Sequence, residues 1–267
     1  MPHRMKIAVT ATLLFLPAMT WSSAVAQNPP LTFEVATIKP TPPDWRGGRY
    51  ATMQGGHQFV ARSYTVKYMV AAAYGVTPRT ISGGPPWIDS DPYDILAATP
   101  GEVRPSFEDQ MLMLRALLAD RFQLAFHTDQ KEFSFYALTV AKNGVKLKES
   151  TAPPDEQPML ISHVYPGDHI ELPAHNATMA QFASILQRAI LDRPVLDKTG
   201  LTGKYDFDLE WTYDDSQFDG HLPPIKPDNS GKPDFFAAMQ RLGLRLESTK
   251  GPVPVIVIDH VERPSEN

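Results

Sequence analysis

The pattern of hydrophobic and polar positions predicts short strands that alternate with amphipathic helices. After Thr65, apolar side chains recur from Val66 to Tyr74 at the period of a helix with one buried face. A second helix is predicted behind Ser106, with Phe107 on its buried side. From Tyr205 to Trp211, aromatic and aliphatic residues alternate with acids, which is typical of a half-buried strand. The chain is therefore predicted to be α+β.

Similar patterns occur twice along the chain, in the same order. The helix that follows Thr65 has a counterpart behind Thr178, where Gln181 would complete a capping box. Tyr93-Asp94 in the first stretch is matched by Tyr205-Asp206 in the second. We therefore predict two tandem related β-α-β-α-β-β modules, with helices packed on small mixed sheets. The predicted boundaries are module one at 27–148, a linker rich in proline and acids at 149–158, and module two at 159–267.

The ends of the two modules match at a constant spacing. Residues 121–126 align with residues 241–246, and the same offset of 120 residues places Phe133 on Val253. Each module is therefore predicted to close with two short strands. These strands are 122–127 and 133–140 in module one, and 244–246 and 253–258 in module two.

The first 26 residues have the organisation of a secretory signal peptide. Arg4 and Lys6 precede a largely apolar segment from Ile7 to Trp21, and Ala24-Val25-Ala26 supplies a cleavage pattern of small residues. Because a membrane-spanning helix needs about 20 apolar residues, this shorter segment favours cleavage after Ala26 over anchoring. We expect a secreted or periplasmic mature chain without a membrane span.

Composition and charge exclude several classes of function. The 267 residues include no cysteine, which removes disulfides, thiol catalysis and iron–sulfur clusters. A net charge of −5 gives no electrostatic reason to bind nucleic acid. The sequence contains no His-Glu-x-x-His motif and no Gly-x-Ser-x-Gly motif. We therefore assign no catalytic residue and no cofactor.

A metal site is considered where three histidines accompany an acid, at His163, His169, His175 and Glu171. Residues six apart in one extended strand lie about 20 Å from each other, which is too far to share one ion. A loop could gather them, but Pro166-Gly167 more simply predicts an exposed polar entry into module two. We therefore predict no metal here.

Aromatic and acidic side chains occur together at two places. Trp87, Asp89 and Tyr93 lie in a loop rich in glycine and proline, and Trp211 ends the alternating strand. Carboxylates beside aromatic rings are found in clefts that bind or cleave glycans. These four residues are our candidate ligand contacts, in a groove near Trp87 and Trp211.

Five segments of the mature chain resemble one protein family. They are FEVATIKP at 33–40, SGGPPWID at 82–89, LLADRF at 117–122, PVLDKTGLTGKYD at 194–206 and VIDHVERPSEN at 257–267. They resemble a large family of exported soil-bacterial proteins with no assigned function, whose domains are sometimes fused to membrane metallopeptidases of the antibiotic-sensor type. In element order, each repeat is also similar to the short N-terminal module of secretins and TonB-dependent receptors, a periplasmic protein-contact domain.

Three functions follow as hypotheses. The first is an exported non-catalytic binding or interaction protein that contacts a cell-envelope protein through an exposed sheet edge. The second is a protein that binds a small ligand or glycan in the groove near Trp87 and Trp211. The third is a hydrolase whose site is assembled from loops.

Overall fold

The computed structural model describes residues 31–101, 103–153, 156–220, 222–225 and 231–264. The predicted signal peptide at 1–26 lies outside these residues, as does part of the predicted linker. We call residues 31–148 the first half and residues 149–264 the second half. Among the described residues, no helix has the length and apolar content needed to cross a bilayer.

The described residues form five α-helices and three sheets, so the predicted α+β class is confirmed. The helices are α1 Val66–Tyr74, α2 Trp87–Ser90, α3 Phe107–Arg121, α4 Met179–Ile185 and α5 Phe235–Arg241. The strands of the first half are β1 Val35–Pro40, β2 Tyr50–Gln54, β3 Gln58–Thr65, β4 Ile81–Gly83, β5 Pro92–Ala98 and β6 Ala125–Val140. Strand β7, Lys148–Glu149, crosses the boundary between the halves. Those of the second half are β8 Met159–Leu160, β9 His163–Tyr165, β10 His169–Thr178, β11 Val195–Asp197, β12 Lys204–Trp211 and β13 Leu244–His260.

Two of the sheets are antiparallel and one is mixed. The first has the order β1-β5-β3-β2, and the second has the order β7-β12-β10-β8, with β9 also paired to β10. The third, β11-β6-β13-β4, is mixed because its two outer strands run parallel to their neighbours. The mixed sheet that the sequence predicts is thus found in one of the three, and the other two are antiparallel throughout.

The helices begin where the sequence predicts them. The Thr65 hydroxyl accepts a hydrogen bond from the first turn of α1, and Thr178 and Gln181 form the predicted capping box on α4. The Ser106 hydroxyl caps α3 in the same way. Phe107, which was expected to be buried, is 51% exposed because it occupies the first position of α3, at the edge of the core.

Each half has its own hydrophobic core. The first core is formed by α1, α3 and the inner faces of β3 and β5, and the second by α4, α5, β10 and β12. Residues from β13 enter both cores: Ile256 and Ile258 lie in the first, and Leu244 and Leu246 in the second. This strand therefore connects the two halves through apolar packing.

The closing strands differ from the prediction. Instead of two short strands in each half, β6 and β13 are single strands of 16 and 17 residues that pair along their length. The middle of β6 is exposed on both faces, so its side chains do not alternate between apolar and polar. A strand without a buried face lacks the pattern by which strands are recognised.

The pairing of β6 with β13 is symmetric about Glu132 and Pro252. These two residues pair with each other, and they are 120 residues apart, which is the offset that aligns the ends of the two halves. Positions related by this offset therefore form reciprocal pairs, as in Thr128 with Ile256 and Tyr136 with Ser248.

Each half also contributes a short strand that pairs with the closing strand of the other half. Strand β4 runs parallel to β13, with Ile81 registered on Ile256. Strand β11 runs parallel to β6, with Val195 registered on Tyr136. The halves are therefore interlocked in one sheet.

The first two sheets contain a bulge of the same construction. Ser63 in β3 and Asn176 in β10 have left-handed backbone, with φ of 56° and 52°, at the points where the pairing shifts register. The N–H of Ser63 donates to the Asp94 carboxylate at 3.0 Å, and the N–H of Asn176 donates to Asp206 at 2.9 Å. In each sheet an aspartate on the neighbouring strand therefore holds the bulge.

The three histidines weighed as a metal site lie on two strands: His163 lies in β9, whereas His169 and His175 lie in β10. Strand β9 turns back at Pro166-Gly167 and pairs with β10, which places His163 opposite Glu171. The predicted polar entry into the second half is therefore a hairpin between β9 and the start of β10.

Candidate functional site

Two of the four candidate ligand contacts lie together beside the end of the described chain. The Arg263 guanidinium lies 4.8 Å from the centre of the Trp87 ring and 3.4 Å from the Tyr93 hydroxyl. It also forms an ion pair with Asp91, which raises the pKa of Arg263. Hydrogen bonds from Ser90 and Arg263 lower the pKa of the Asp91 carboxyl. The Trp87 ring is thus partly covered by a cation of the chain itself.

The other two candidates lie apart from this cluster. Asp89 is exposed and forms an ion pair with Lys67 at 2.9 Å. Trp211 is fully buried, and its indole N–H donates to the Gln217 side chain at 2.6 Å. Because Trp211 belongs to the second core and Trp87 packs against the first, the structure does not bring these two rings into one groove.

A cavity of about 410 Å³ lies instead at the junction of the two halves. One wall comes from the end of β3, α1 and the turn that follows it. The other comes from residues Leu186–Ile190, which continue α4 as a π-helical turn. Single π-helical turns inside α-helices are frequent at functional sites. A cavity of this size, between two packed units, is typical of a small-molecule site.

Three arginines line the cavity: Arg49, Arg79 and Arg188. The guanidinium carbon of Arg49 lies 3.4 Å from the centre of the Tyr68 ring, and that of Arg188 lies 5.1 Å from the centre of the Phe107 ring. Within the described part of the chain, no carboxylate lines this cavity, and neither Arg49 nor Arg188 forms an ion pair. The described lining of the cavity therefore carries positive charge from Arg49 and Arg188.

Burial acts on the charged groups of this cavity. It lowers the pKa of Arg188, because the guanidinium is removed from water without a carboxylate beside it. Burial also raises the pKa of Tyr64, and the positive charges of Arg49 and Arg188 oppose this shift. The Tyr64 hydroxyl is therefore neutral near pH 7 and can donate a hydrogen bond. An anion placed here would compensate the charge of Arg188.

The two halves contact each other at Gly75, which ends α1. Its φ of 67° is left-handed, and a Cβ there would lie 2.9 Å from the Ser184 hydroxyl. The Gly75 carbonyl accepts hydrogen bonds from Gln187 at 2.5 Å and from Ser184 at 3.4 Å. Glycine thus permits both the turn and the close approach of the π-helical turn.

The sequence did not reveal this cavity. Its lining comes from four separated stretches: Arg49, residues 64–79, residues 187–191 and Phe218. None of these stretches contains a local motif. An isolated arginine on an amphipathic helix is predicted to be exposed to solvent. The sequence lacks the tertiary contacts that identify the site, since only the structure shows that no described acid lies beside the guanidinium of Arg188.

Comparison with known proteins identifies a family but no activity. Residues 67–261 match the family described as protein of unknown function (DUF3738). This match covers most of the chain and includes the lining of the cavity except Arg49 and Tyr64. No curated protein matches the chain, and no solved structure does. The chain thus belongs to the DUF3738 family, whose function is unknown.

Proposed function

We propose that this protein is an exported, non-catalytic binding protein that holds a small anionic molecule in the cavity between its halves. The observation that carries the proposal is Arg188, a partly buried guanidinium that lines the cavity and has no ion-pair partner among the described residues. An unpaired charge removed from water is costly, so such a residue is retained most readily where a ligand supplies the opposite charge.

The chemistry of the walls indicates the class of ligand. Arginine presents a planar fork of N–H donors that matches a carboxylate or a phosphate. Tyr64 adds a hydroxyl, while Tyr68, Ile190 and Phe218 supply aromatic and aliphatic surface. The ligand we expect is a small carboxylate or phosphate that also carries an apolar or aromatic part.

Binding is favoured over hydrolysis by the residue types present. The described lining contains arginine, tyrosine, threonine and glutamine but no aspartate, glutamate or histidine. General acid–base catalysis near neutral pH mostly uses those three residue types. A site rich in fixed cations and neutral donors retains an anion without transferring a proton to or from it.

The test is thermal melting of the purified protein with a panel of anions: inorganic phosphate, sulfate, a sugar phosphate and an aromatic carboxylate. A ligand at about 100 times its dissociation constant adds about 2.7 kcal/mol to the stability of the folded state. We expect at least one anion to raise the melting temperature of the wild type and not that of Arg188→Met. Arg245→Met, which removes an exposed arginine paired with Glu247 at 3.1 Å, is the matched control. Equal shifts in all three proteins would refute the proposal.

We also propose that the two halves arose by duplication as tandem modules. Three observations support this: the β6–β13 pairing is centred on Glu132 and Pro252, which are 120 residues apart; β4 and β11 are exchanged; and both sheets share a bulge held by Asp94 or Asp206. The cavity would then lie at the junction of two related units.

Export rests on the predicted leader at 1–26, and cleavage after Ala26 is tested by N-terminal sequencing of the protein from its native host.

Contact with a cell-envelope protein is a second candidate function, favoured by one edge strand. Strand β2 pairs with β3 and with no other described strand, and four of its five residues are exposed. N–H groups alternate between the two edges of a strand, so one of the two neighbouring variants Ala51→Pro and Thr52→Pro removes an N–H from the outer edge and keeps the pairing with β3. The other variant removes an N–H from the inner edge. A partner that cross-links equally to the wild type and to both variants would exclude this edge.

A further inference from the structure

A second cluster of functional side chains lies on the second sheet, apart from the arginine-lined cavity. One ligand atom from each of His169, Glu171 and Glu210 lies within 4.8 Å of the other two. His169 and Glu171 are two residues apart on β10, so their side chains share a face. Glu210 on β12 pairs directly with Glu171. The cluster is therefore built on paired strands.

A fourth donor lies in the same row. His163 on β9 is registered with Glu171 from the other side, so the order across three strands is His163, Glu171, Glu210. Directly opposed residues in antiparallel strands have Cβ atoms about 4.5–5.5 Å apart and point to the same face. A rotamer change at the exposed His163 would bring its imidazole to the other three.

His169 is already oriented as a ligand. Its Nε2 lies 3.2 Å from a Glu171 carboxylate oxygen, and its Nδ1 lies 3.2 Å from the carboxylate of Asp168 without the geometry of a hydrogen bond. The Tyr165 ring stacks on the imidazole with centres 4.4 Å apart. In metal-bound histidines the second ring N–H is donated to an acceptor such as a carboxylate, and Asp168 lies within reach of that nitrogen although the hydrogen bond is not formed here.

The charges of the cluster also favour a cation. Two carboxylates directly opposite each other on neighbouring strands repel. The chain offsets this with Lys232, which forms an ion pair with Glu210. The face thus carries two carboxylates, with one lysine at its edge.

We propose that this face binds one divalent cation of the zinc class through His169, Glu171 and Glu210, with His163 as the fourth ligand. Imidazole nitrogen and carboxylate oxygen at about 2.0–2.2 Å are donors that zinc prefers. Lys232 would leave Glu210 when the ion binds. The ion would tie β9, β10 and β12 together. Bound zinc is independent of the anion proposal, since none of these residues lines the cavity.

The experiment is calorimetric titration of the purified protein with zinc chloride alone. We expect one site per chain, with affinity at least about tenfold weaker in Glu171→Gln and in Glu210→Gln, as loss of a ligand requires. The matched control is His260→Ala. His260 and Glu262 have the same spacing as His169 and Glu171, with 3.0 Å between Nε2 and a carboxylate oxygen, but they belong to no group of three donors in the described residues.

Two further measurements keep the test decisive. Lys232→Met removes the competing cation and should tighten zinc binding. Cobalt(II) should give visible absorption bands in the wild type that change in Glu210→Gln, whereas melting without metal shows that the variant is folded. Absence of zinc binding to the wild type, or equal affinity in the wild type and both glutamine variants, would overturn the proposal.

Discussion

The side chain of Gln187 donates a hydrogen bond of 2.5 Å to the carbonyl oxygen of Gly75. The same side chain accepts a hydrogen bond from the N–H of Val195 at 3.2 Å. One residue thus fixes the end of α1, the π-helical turn and the start of β11 to one another. Since the cavity lies beside this junction, its shape depends on how the halves dock.

We predict that Gln187→Leu weakens that docking. It leaves the Gly75 carbonyl with only the longer bond from Ser184 and removes the side-chain acceptor of the N–H of buried Val195. An unsatisfied buried polar group costs about 1–3 kcal/mol. Chemical unfolding should show this loss of stability. Gln240→Leu, at an exposed position of α5, is the control and should change stability by less than about 0.5 kcal/mol. Equal losses of stability in Gln187→Leu and Gln240→Leu would show that the Gln187 hydrogen bonds do not stabilise the junction.

Arg188→Met should stabilise the protein in the absence of anions. It replaces a guanidinium whose pKa is lowered by burial with an apolar side chain of similar length. A gain of 1 kcal/mol in a chain of this size raises the melting temperature by about 2–4 °C. Arg245→Met should show no such rise. A lower melting temperature for Arg188→Met would mean that its guanidinium is already compensated within the protein.

Asp94 should make the protein sensitive to acid. Burial acts to raise the pKa of its carboxyl, but hydrogen bonds from Ser63, Thr41 and Arg62 outweigh burial and hold the pKa below its ordinary value. A lowered pKa in the folded state gives stability that is present above about pH 4 and is lost as the pH falls through the folded pKa.

The test compares the wild type with Asp94→Asn. The variant should lose about 1–3 kcal/mol at neutral pH, because the Ser63 N–H and the Arg62 guanidinium lose their carboxylate. Its stability should then fall less steeply than that of the wild type below about pH 4. Asp89→Asn at the exposed ion pair with Lys67 is the control. Parallel acid curves for the wild type and Asp94→Asn would contradict the assignment.

Neither half should fold alone. Strand β4 pairs with β13, and β11 pairs with β6, so each fragment loses the partner of a short strand and of its closing strand. We expect residues 27–148 and residues 159–267 to lack cooperative melting by circular dichroism when separate and to regain it when mixed. Cooperative melting of either fragment alone would show that the exchange is not needed for stability.

Local patterns in the sequence predicted the local structure. Thr65 and Thr178 marked helix starts because a hydroxyl cap acts within one turn, and 205–211 alternated because one face of β12 is buried. The long strand β6 was missed because its middle has no buried face. The cavity was missed because its lining comes from residues far apart in sequence that only the fold brings together. The histidines were considered as a metal site and rejected, because the sequence does not show that β9 pairs back onto β10 or that Glu210 lies opposite Glu171.

Calorimetric titration of the purified protein with the anion that gives the largest melting shift tests the central claim most directly. Done at two salt concentrations, it should show one site per chain with affinity that falls as salt rises, because arginines provide the binding. The same titration of Arg188→Met should show no binding, and Arg245→Met should behave as the wild type. Equal affinity in wild type and Arg188→Met would contradict the claim that this arginine-lined cavity is the binding site.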